Sequence, residues 1–222
     1  NMKIDFERAM AVSKGEKSAM LRLYGWEPWA VSLGYNQKET DIDKFLCKNE
    51  GFDIVRRPTG GRAVLHADEL TYSVCVNLPE KMNMHDAYRD IHLFLVKAMR
   101  HIGIENLDFK KARINMREFY SRSEMSASCF AAAAQYEIEY MGRKVVGSAQ
   151  RMFGKTLLQH GSILLGRGYE RLADVTNLKT GEQKKRLKDF MLAGSATLSE
   201  AAGRKISFQE LSDSLKRLWK SS

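Results

Sequence analysis

The sequence predicts an α+β fold, because strand patterns dominate the first two thirds of the chain and helical patterns dominate the last third. Polar and apolar residues alternate over 71–78, as they do in a strand with two different faces. Apolar residues over 87–102 recur at helical spacing, and the chain from Tyr169 onward is mostly helical. No glycine/serine linker divides the 222 residues, so we expect one domain over 1–222.

The other predicted elements are shorter. They are a helix over 2–12, strands over 21–26 and 30–33, a helix over 41–49 with Thr40 as its N-cap, strands over 52–57 and 63–66, a hairpin of 135–140 and 144–147, a strand over 159–165 and a last helix that begins near Ser207. Because the chain opens inside the first helix, we expect an N-terminal strand to precede Asn1 in the complete protein.

Composition and charge restrict the classes of function. Hydrophobic residues make up 44% and charged residues 28%, which is typical of globular proteins and excludes general disorder. No apolar run approaches the roughly 20 residues of a membrane helix, so no membrane contact is expected. The net charge of +9 predicts a solvated basic surface or attraction to an acidic partner. A protein partner is favoured over nucleic acid, since the basic residues are spread along the chain without interleaved aromatics.

Residues 57–62, Arg-Pro-Thr-Gly-Gly-Arg, form a segment that we call the double-glycine loop. Two adjacent glycines let the backbone approach a ligand closely, and exposed N–H groups at a sheet end can hold an anion. The pattern matches neither a Walker loop nor a GxGxxG motif. A basic hairpin turn is the alternative, but the arginines favour an anion- or acyl-binding loop. Its candidate binding residues are Arg57, Thr59, Gly60, Gly61 and Arg62, with His66 following.

Two later segments carry further polar candidates. Lys144 precedes the run Gly147-Ser148-Ala149-Gln150, so a hairpin could project its ammonium into a pocket, where it would bind a carbonyl oxygen. Spacing alone favours a surface hairpin instead. His160-Gly161 lies within a predicted strand, where the glycine allows close backbone approach. His160 could bind substrate, although a histidine among apolar residues more often has a packing role.

The three cysteines are widely spaced and form no CxxC pair, so a disulfide framework or a zinc site is not expected and a reducing cytoplasm fits. Cys47 lies in a predicted amphipathic helix and Cys75 in an alternating strand, where buried cysteine is usual. Cys129 lies in a small, polar segment typical of a loop, which makes it the candidate nucleophile. Its thiol would need a lowered pKa to react at neutral pH, and Lys144 is the cation that would supply it.

Together these segments resemble the lipoate–biotin protein ligase superfamily. The similarity runs from residues 1–5 through 21–26, 32–37, the double-glycine loop, 69–74 and the Lys144 hairpin to His160-Gly161. It implies a mixed, largely antiparallel sheet flanked by helices. The chain resembles the ligase-like octanoyltransferases in two features. One is the motif Arg-Arg-Pro-Thr-Gly-Gly-Arg-Ala-Val-Leu-His, and the other is Cys129-Phe130 upstream of Lys144. The alanine run over 131–134 departs from that branch, which more often has a Pro-Ser step there.

That resemblance implies transfer of octanoyl from acyl carrier protein through a Cys129 thioester to a lysine of a lipoyl-accepting protein, with the glycine-cleavage H protein as the expected acceptor. It implies no metal and no cofactor. The alternative is an ATP-dependent lipoate–protein ligase, which would need ATP and magnesium. The Asn-Asp pair typical of such ligases is replaced here by Ala133-Ala134-Gln135-Tyr136. A non-catalytic acyl- or nucleic-acid-binding module is the alternative from another class.

Overall fold

A computed structural model of the chain describes residues 1–111 and 136–220. The helices over these residues are α1 (Met2–Ser13), α2 (Lys44–Asn49), α3 (Met84–His101), α4 (Gly181–Gly194), α5 (Leu198–Ala202) and α6 (Phe208–Lys220), with 3₁₀ segments at Glu39–Asp41 and Tyr169–Val175. The strands are β1 (Ala19–Tyr24), β2 (Ala30–Leu33), β3 (Asp53–Arg56), β4 (Val64–His66), β5 (Glu69–Asn77), β6 (Asp108–Lys111), β7 (Tyr136–Tyr140), β8 (Arg143–Lys144), β9 (Val146–Phe153) and β10 (Thr156–Leu164).

The described strands form three sheets. The largest is antiparallel, in the order β1-β5-β10-β9. A second has the order β3-β2-β4, in which β2 is parallel to β3 and antiparallel to β4. The third is the antiparallel order β6-β7-β8. The predicted α+β fold, a mixed and largely antiparallel sheet structure flanked by helices, is confirmed.

The double-glycine loop does not close a hairpin. Strands β3 and β4, which flank it, both pair with β2, so the loop crosses the end of β2. In this register Leu33 lies beside Arg56 and Ser32 beside Val64. The hairpin interpretation of this segment is therefore wrong, whereas its predicted place at a sheet end is correct.

The N-cap predicted at Thr40 is also wrong. Helix α2 begins after Asp43, whose side chain accepts hydrogen bonds from the backbone N–H groups of Phe45 and Leu46 at 2.9 and 3.0 Å. Ile42 is extended and bridges to Thr176, so the chain cannot continue as one helix from Thr40. Asp43 thus has the capping role that was expected of Thr40, at a helix start three residues later.

Helices bury both faces of the large sheet. On one face, side chains of α3 and α6 such as Leu95 and Leu215 pack with Tyr72 of β5. On the other face, Ala9 of α1 packs with Cys75. Burial on both faces explains why the alternating polar residues of β5 are inside the protein rather than in solvent. No helix in the described ranges is long and apolar enough to cross a membrane.

Candidate active site

A cavity of about 400 Å³, including its opening, lies between the large sheet and the β3-β2-β4 sheet. Its wall combines residues from distant parts of the chain. The lining residues are Met2, Ser32, Arg57, Val64, His66, Thr71, Gly147, Ser148, Ala149, His160, Gly161 and Ser162. Residues of the double-glycine loop, of the run 147–150 and of the His160-Gly161 strand thus line one cavity.

Seven of the predicted binding residues line this cavity, namely Arg57, His66, Gly147, Ser148, Ala149, His160 and Gly161. Thr59 is buried behind the wall, and Gly60 and Gly61 are exposed. Arg62 is half-buried, as is Gln150, whose amide donates to Gln159 Oε1 at 2.8 Å. These five residues are not part of the described wall.

Arg57 is buried, and all five of its N–H donors point at the protein. Nε and Nη2 donate to the carbonyl oxygen of Gly60 at 3.1 and 2.9 Å, and Nη2 also donates to Arg62 O at 2.7 Å. Nη1 donates to the backbone and hydroxyl oxygens of Ser32 at 2.9 and 3.2 Å. Since a guanidinium carries five donors, this arginine shapes the double-glycine loop from within.

His160 belongs to a buried polar cluster at the N-terminal helix. Its Nδ1 lies 3.3 Å from Asp5 Oδ2, and its Nε2 lies 2.6 Å from the Thr59 hydroxyl. Arg22 and Tyr24 also donate to the Asp5 carboxylate, at 2.8 and 2.7 Å.

The pKa shifts of Asp5 and His160 indicate which of these two groups carries a proton at pH 7. Burial alone would raise the pKa of the Asp5 carboxyl, but the hydrogen bonds from His160, Tyr24 and Arg22 outweigh burial and lower this pKa. Burial lowers the pKa of His160 despite its bond to Asp5. The imidazole is therefore neutral at pH 7, with Nδ1–H donating to Asp5 and Nε2 accepting from Thr59. His160 thus ties the double-glycine loop to α1.

His66 belongs to a second buried cluster. Its Nδ1 lies 2.8 Å from Glu69 Oε1, and its Nε2 lies 2.8 Å from the Ser32 hydroxyl. The Ser162 hydroxyl donates to the same Glu69 oxygen at 2.9 Å. Trp26 stacks on the His66 ring at 4.5 Å between ring centres. The imidazole is thereby fixed in position and orientation within the wall.

Ser148 joins the cavity wall to helix α3. Its hydroxyl lies 2.7 Å from Tyr72 Oη and 3.2 Å from His92 Nε2. Tyr72 Oη also accepts from Gln159 Nε2 at 2.8 Å. Burial lowers the pKa of His92 to about 4, and the nearby Lys144 contributes to that lowering. His92 is therefore neutral at pH 7.

Lys144 is buried rather than displayed on a surface hairpin, so the surface interpretation of this segment is wrong. Its ammonium Nζ lies 2.6 Å from Glu137 Oε1, and both side chains are only 8% exposed. The β7–β8 register places Lys144 opposite Glu139, so Glu137 is its diagonal neighbour on the same face. The hairpin turns at Met141-Gly142, where both residues have positive φ, as a tight hairpin turn requires.

Cys47 and Cys75 are buried, as predicted, and burial raises the pKa of each thiol to about 11. Neither thiol is suited to attack at neutral pH. Cys129, the predicted nucleophile, lies outside the described residues. Within the described ranges no group of three His, Cys, Asp or Glu side chains is arranged to hold a metal ion.

Sequence reasoning missed several residues of the site. Asp5 is fully buried on α1 together with Met2 and Ala9. A charged residue on the apolar face of a helix was the available signal. Ser162 directly follows the predicted site residue Gly161, whereas Ser32 lies 25 residues before the first predicted site residue, Arg57. Both are small polar residues in strands, and periodicity alone does not distinguish them from ordinary strand positions.

Comparison with known proteins identifies the family. Residues 1–219 match the lipoyl protein ligase A/B catalytic domain. The chain belongs to this family. Octanoyltransferase LipM of Clostridioides difficile is 41% identical over 214 residues, which are 93% of this chain and 76% of that protein. Octanoyltransferase LipM of Exiguobacterium sibiricum is 40% identical over 217 residues, which are 95% of this chain and 78% of that protein.

A solved structure of a bi-partite lipoate protein ligase from Thermoplasma acidophilum superposes on this chain with a TM-score of 0.72 and 21% identity. The superposition covers 97% of this chain and 76% of the ligase chain, and this similarity supports the assignment of the fold. The family and fold predicted from the sequence are confirmed. The expectation of an acyltransferase is confirmed as well, because the curated relatives are octanoyltransferases.

Proposed function

We propose that this lipoyl protein ligase family member transfers octanoyl from acyl carrier protein, through a thioester on Cys129, to a lysine of a lipoyl-accepting protein such as the glycine-cleavage H protein. The observation that carries this proposal is the identity of 41% with an octanoyltransferase, over nearly the whole chain. The cavity supports it, because the three segments implied by the resemblance all contribute to one wall.

The proposed reaction has two steps that need no nucleotide. The Cys129 thiolate attacks the carrier thioester, so a new C–S bond forms, the carrier's own C–S bond breaks and the carrier thiolate leaves. The acceptor amine then attacks the octanoyl-enzyme, so an amide C–N bond forms and the C–Sγ bond breaks. The amine proton goes to the departing thiolate or to a base. Exchange of one thioester for another is nearly thermoneutral, whereas a free acid would need activation.

Lys144 is assigned the carbonyl-binding role in this proposal, because it carries a buried positive charge. Its buried ammonium is held by Glu137, which restricts its orientation. In a site with little water a fixed cation stabilises a thiolate and a developing oxyanion strongly. Backbone N–H groups near Gly147 and Ser148, or at Gly60 and Gly61, are the proposed additional donors to the oxyanion.

The acyl chain would be held by apolar contacts. Met2, Val64 and Ala149 supply apolar side chains to the cavity wall, and Gly147 and Gly161 expose backbone there. Burying each methylene contributes about 0.8 kcal/mol, so an eight-carbon chain gains several kcal/mol. The protein partners are expected to be acidic, which suits the net charge of +9. A reducing cytoplasm is the proposed location, since the mechanism requires a free thiol.

Intact-mass measurement tests the covalent step. Wild-type protein mixed with octanoyl-carrier, without acceptor, should gain one octanoyl group. Cys129→Ala should gain none, while Cys47→Ala and Cys75→Ala should gain it normally, because both of those thiols are buried. An unshifted wild-type mass would remove the covalent mechanism.

A second assay separates transfer from ligation. One reaction contains octanoyl-carrier without ATP, and the other contains octanoate, ATP and magnesium. Modified acceptor protein is expected in the first reaction alone. Modification in the second alone would establish an ATP-dependent ligase instead.

A further inference from the structure

The hydrogen bonds around Ser148 run in one direction, which determines where its hydroxyl hydrogen points. They connect Gln159, Tyr72, Ser148 and His92, and end at the carbonyl oxygen of Tyr88, 2.8 Å from His92 Nδ1. We call this series the Ser148 chain. It joins β10, β5 and β9 of the large sheet to helix α3.

Because the Ser148 chain ends at a carbonyl oxygen, the donor and the acceptor of its bonds on the His92 side can be assigned. A carbonyl oxygen only accepts, so His92 Nδ1 carries the hydrogen that is donated to Tyr88. His92 is neutral, so its Nε2 is bare and accepts, and the Ser148 hydroxyl must donate to it. Gln159 Nε2 also lies 3.5 Å from His92 Nδ1, but both atoms are donors in this arrangement and form no bond.

The other side of Ser148 is fixed in the same way. Gln159 Nε2 can only donate, and it donates to the Tyr72 oxygen. Ser148 has already used its single hydrogen, so the Tyr72 hydroxyl donates to Ser148 Oγ. A serine oxygen has two lone pairs, and Tyr72 occupies one. Within the described residues, the capacity left to the Ser148 side chain is one acceptor position.

This assignment excludes one role for Ser148 and favours another. With its hydrogen directed at His92, the side chain does not donate to a carbonyl oxygen or an oxyanion. A hydroxyl that donates to an imidazole nitrogen becomes a better acceptor, because hydrogen bonds in a series polarise one another. The group that Ser148 would recognise therefore carries an N–H or O–H donor.

The proposed reaction brings one such donor to this part of the site. Ser148 lines the cavity and lies in β9, four residues beyond Lys144. Lys144 is also close enough to His92 to act on its charge. The acyl carbon bound near Lys144 would thus be attacked close to Ser148, and the attacking group is a primary amine.

We infer that the Ser148 hydroxyl oxygen accepts a hydrogen bond from the amine of the incoming acceptor lysine and directs its nitrogen lone pair at the octanoyl thioester. His92 is a positioning residue that holds the Ser148 hydrogen away from the amine. The inference rests on the proposed function. Ser148 neither gains nor loses a proton: the amine nitrogen forms the C–N bond, the C–Sγ bond breaks, and the amine proton goes to the departing thiolate or to a base.

Separate measurement of the two steps tests this role. Octanoyl-carrier is added first and the octanoyl-enzyme is followed by intact mass; acceptor protein is then added and its loss of octanoyl is followed. Ser148→Ala should form the octanoyl-enzyme at a rate within about twofold of wild type and pass octanoyl on at least about tenfold more slowly. Ser212→Ala is the matched control, because Ser212 is a buried serine on α6. It should leave both rates unchanged.

Two substitutions of His92 test the positioning. The substitution His92→Gln keeps an acceptor atom near the position of Nε2. His92→Leu removes the acceptor, so the Ser148 hydroxyl hydrogen is no longer held by a hydrogen bond to residue 92. His92→Leu should slow the amine step as Ser148→Ala does, and His92→Gln should recover most of the rate. Thermal unfolding of each variant checks folding, and Ser148→Ala gives the answer if His92→Leu does not fold.

The outcomes distinguish a failure of the Ser148 inference from a failure of the proposed function on which it rests. A slow amine step with a normal first step supports the role of Ser148. Equal slowing of both steps in Ser148→Ala, or wild-type rates in both, overturns it. Wild-type protein that never acquires octanoyl refutes the proposed function itself, and the inference with it.

Discussion

Gly161 lies opposite Ser148 in the β9–β10 pair and so close to the preceding residue of β9 that a Cβ atom at position 161 would lie 2.4 Å from the Gly147 carbonyl oxygen. The same atom would lie 2.7 Å from Ser148 Oγ and 2.8 Å from the Tyr72 ring. The backbone at Gly161 is not in the left-handed region. Glycine is therefore required here for space, and this space is part of the cavity wall.

Gly161→Ala should destabilise the protein by about 1–3 kcal/mol, because backbone and buried side chains must move to admit one methyl group. Urea unfolding measures the change. Gly181→Ala is the matched control, since nothing lies within 4 Å of the added methyl group there. A Gly161→Ala protein as stable as Gly181→Ala would contradict the close approach.

The buried Lys144–Glu137 pair makes a double substitution informative. Lys144→Met should lower the free energy of unfolding by about 3 kcal/mol or more, because it leaves Glu137 buried without its ammonium. Adding Glu137→Gln should restore most of the stability but none of the activity, which we expect to fall by orders of magnitude. Unfolding curves and octanoyl transfer are measured on both proteins. Recovery of transfer in the double variant would show that Lys144 acts through folding alone.

His92 should make stability depend on pH. Its pKa is lowered from 6.5 to about 4 in the folded protein, so below pH 6.5 the unfolded chain binds a proton that the folded chain does not. Stability contributed by the neutral imidazole is fully present above pH 6.5. It falls by about 1.4 kcal/mol for each pH unit between 6.5 and 4.

His92→Gln should flatten this part of the profile, because glutamine does not titrate. Urea unfolding at a series of pH values compares the two proteins. His160, whose pKa is also lowered, contributes in the same direction and leaves a residual slope in the variant. Identical slopes in both proteins would show that His92 is not buried in the neutral form.

Salt should slow the encounter with the carrier. The net charge of +9 attracts an acidic protein over distances that salt screens. The second-order rate with octanoyl-carrier is expected to fall steeply as sodium chloride increases, while the rate with a small, uncharged octanoyl thioester stays nearly constant. Equal salt dependence for both donors would argue against electrostatic attraction between the proteins.

Local patterns in the sequence predicted most elements of the fold. Alternation over β5, helical spacing over α3 and the Met141-Gly142 turn each depend on neighbouring residues, and the structure confirms them. The errors involve long-range pairing. That β2 separates β3 from β4 follows from contacts between distant segments, and the cap at Asp43 depends on a bridge between Ile42 and Thr176.

In the candidate site, too, local motifs could be predicted from the sequence, whereas contacts between distant residues could not. The motifs located seven wall residues, because glycines and charged residues stand out in a sequence. The contribution of His92 could not be predicted, since it faces Ser148 from a helix 56 positions earlier in the chain. The burial of Lys144 with Glu137 likewise depends on how the hairpin packs. The placement of Cys129 stays a prediction.

The saturation of Arg57 has a consequence for chain-length selectivity. Because its guanidinium already binds Gly60, Arg62 and Ser32, the double-glycine loop is ordered during folding and does not wait for a ligand. Arg57 is the residue of this loop that lines the cavity, so its part of the wall is fixed before an acyl chain binds. If the proposed function holds, we expect fatty groups longer than the cavity to leave their ends in water, so that the enzyme would discriminate between acyl chains by their length.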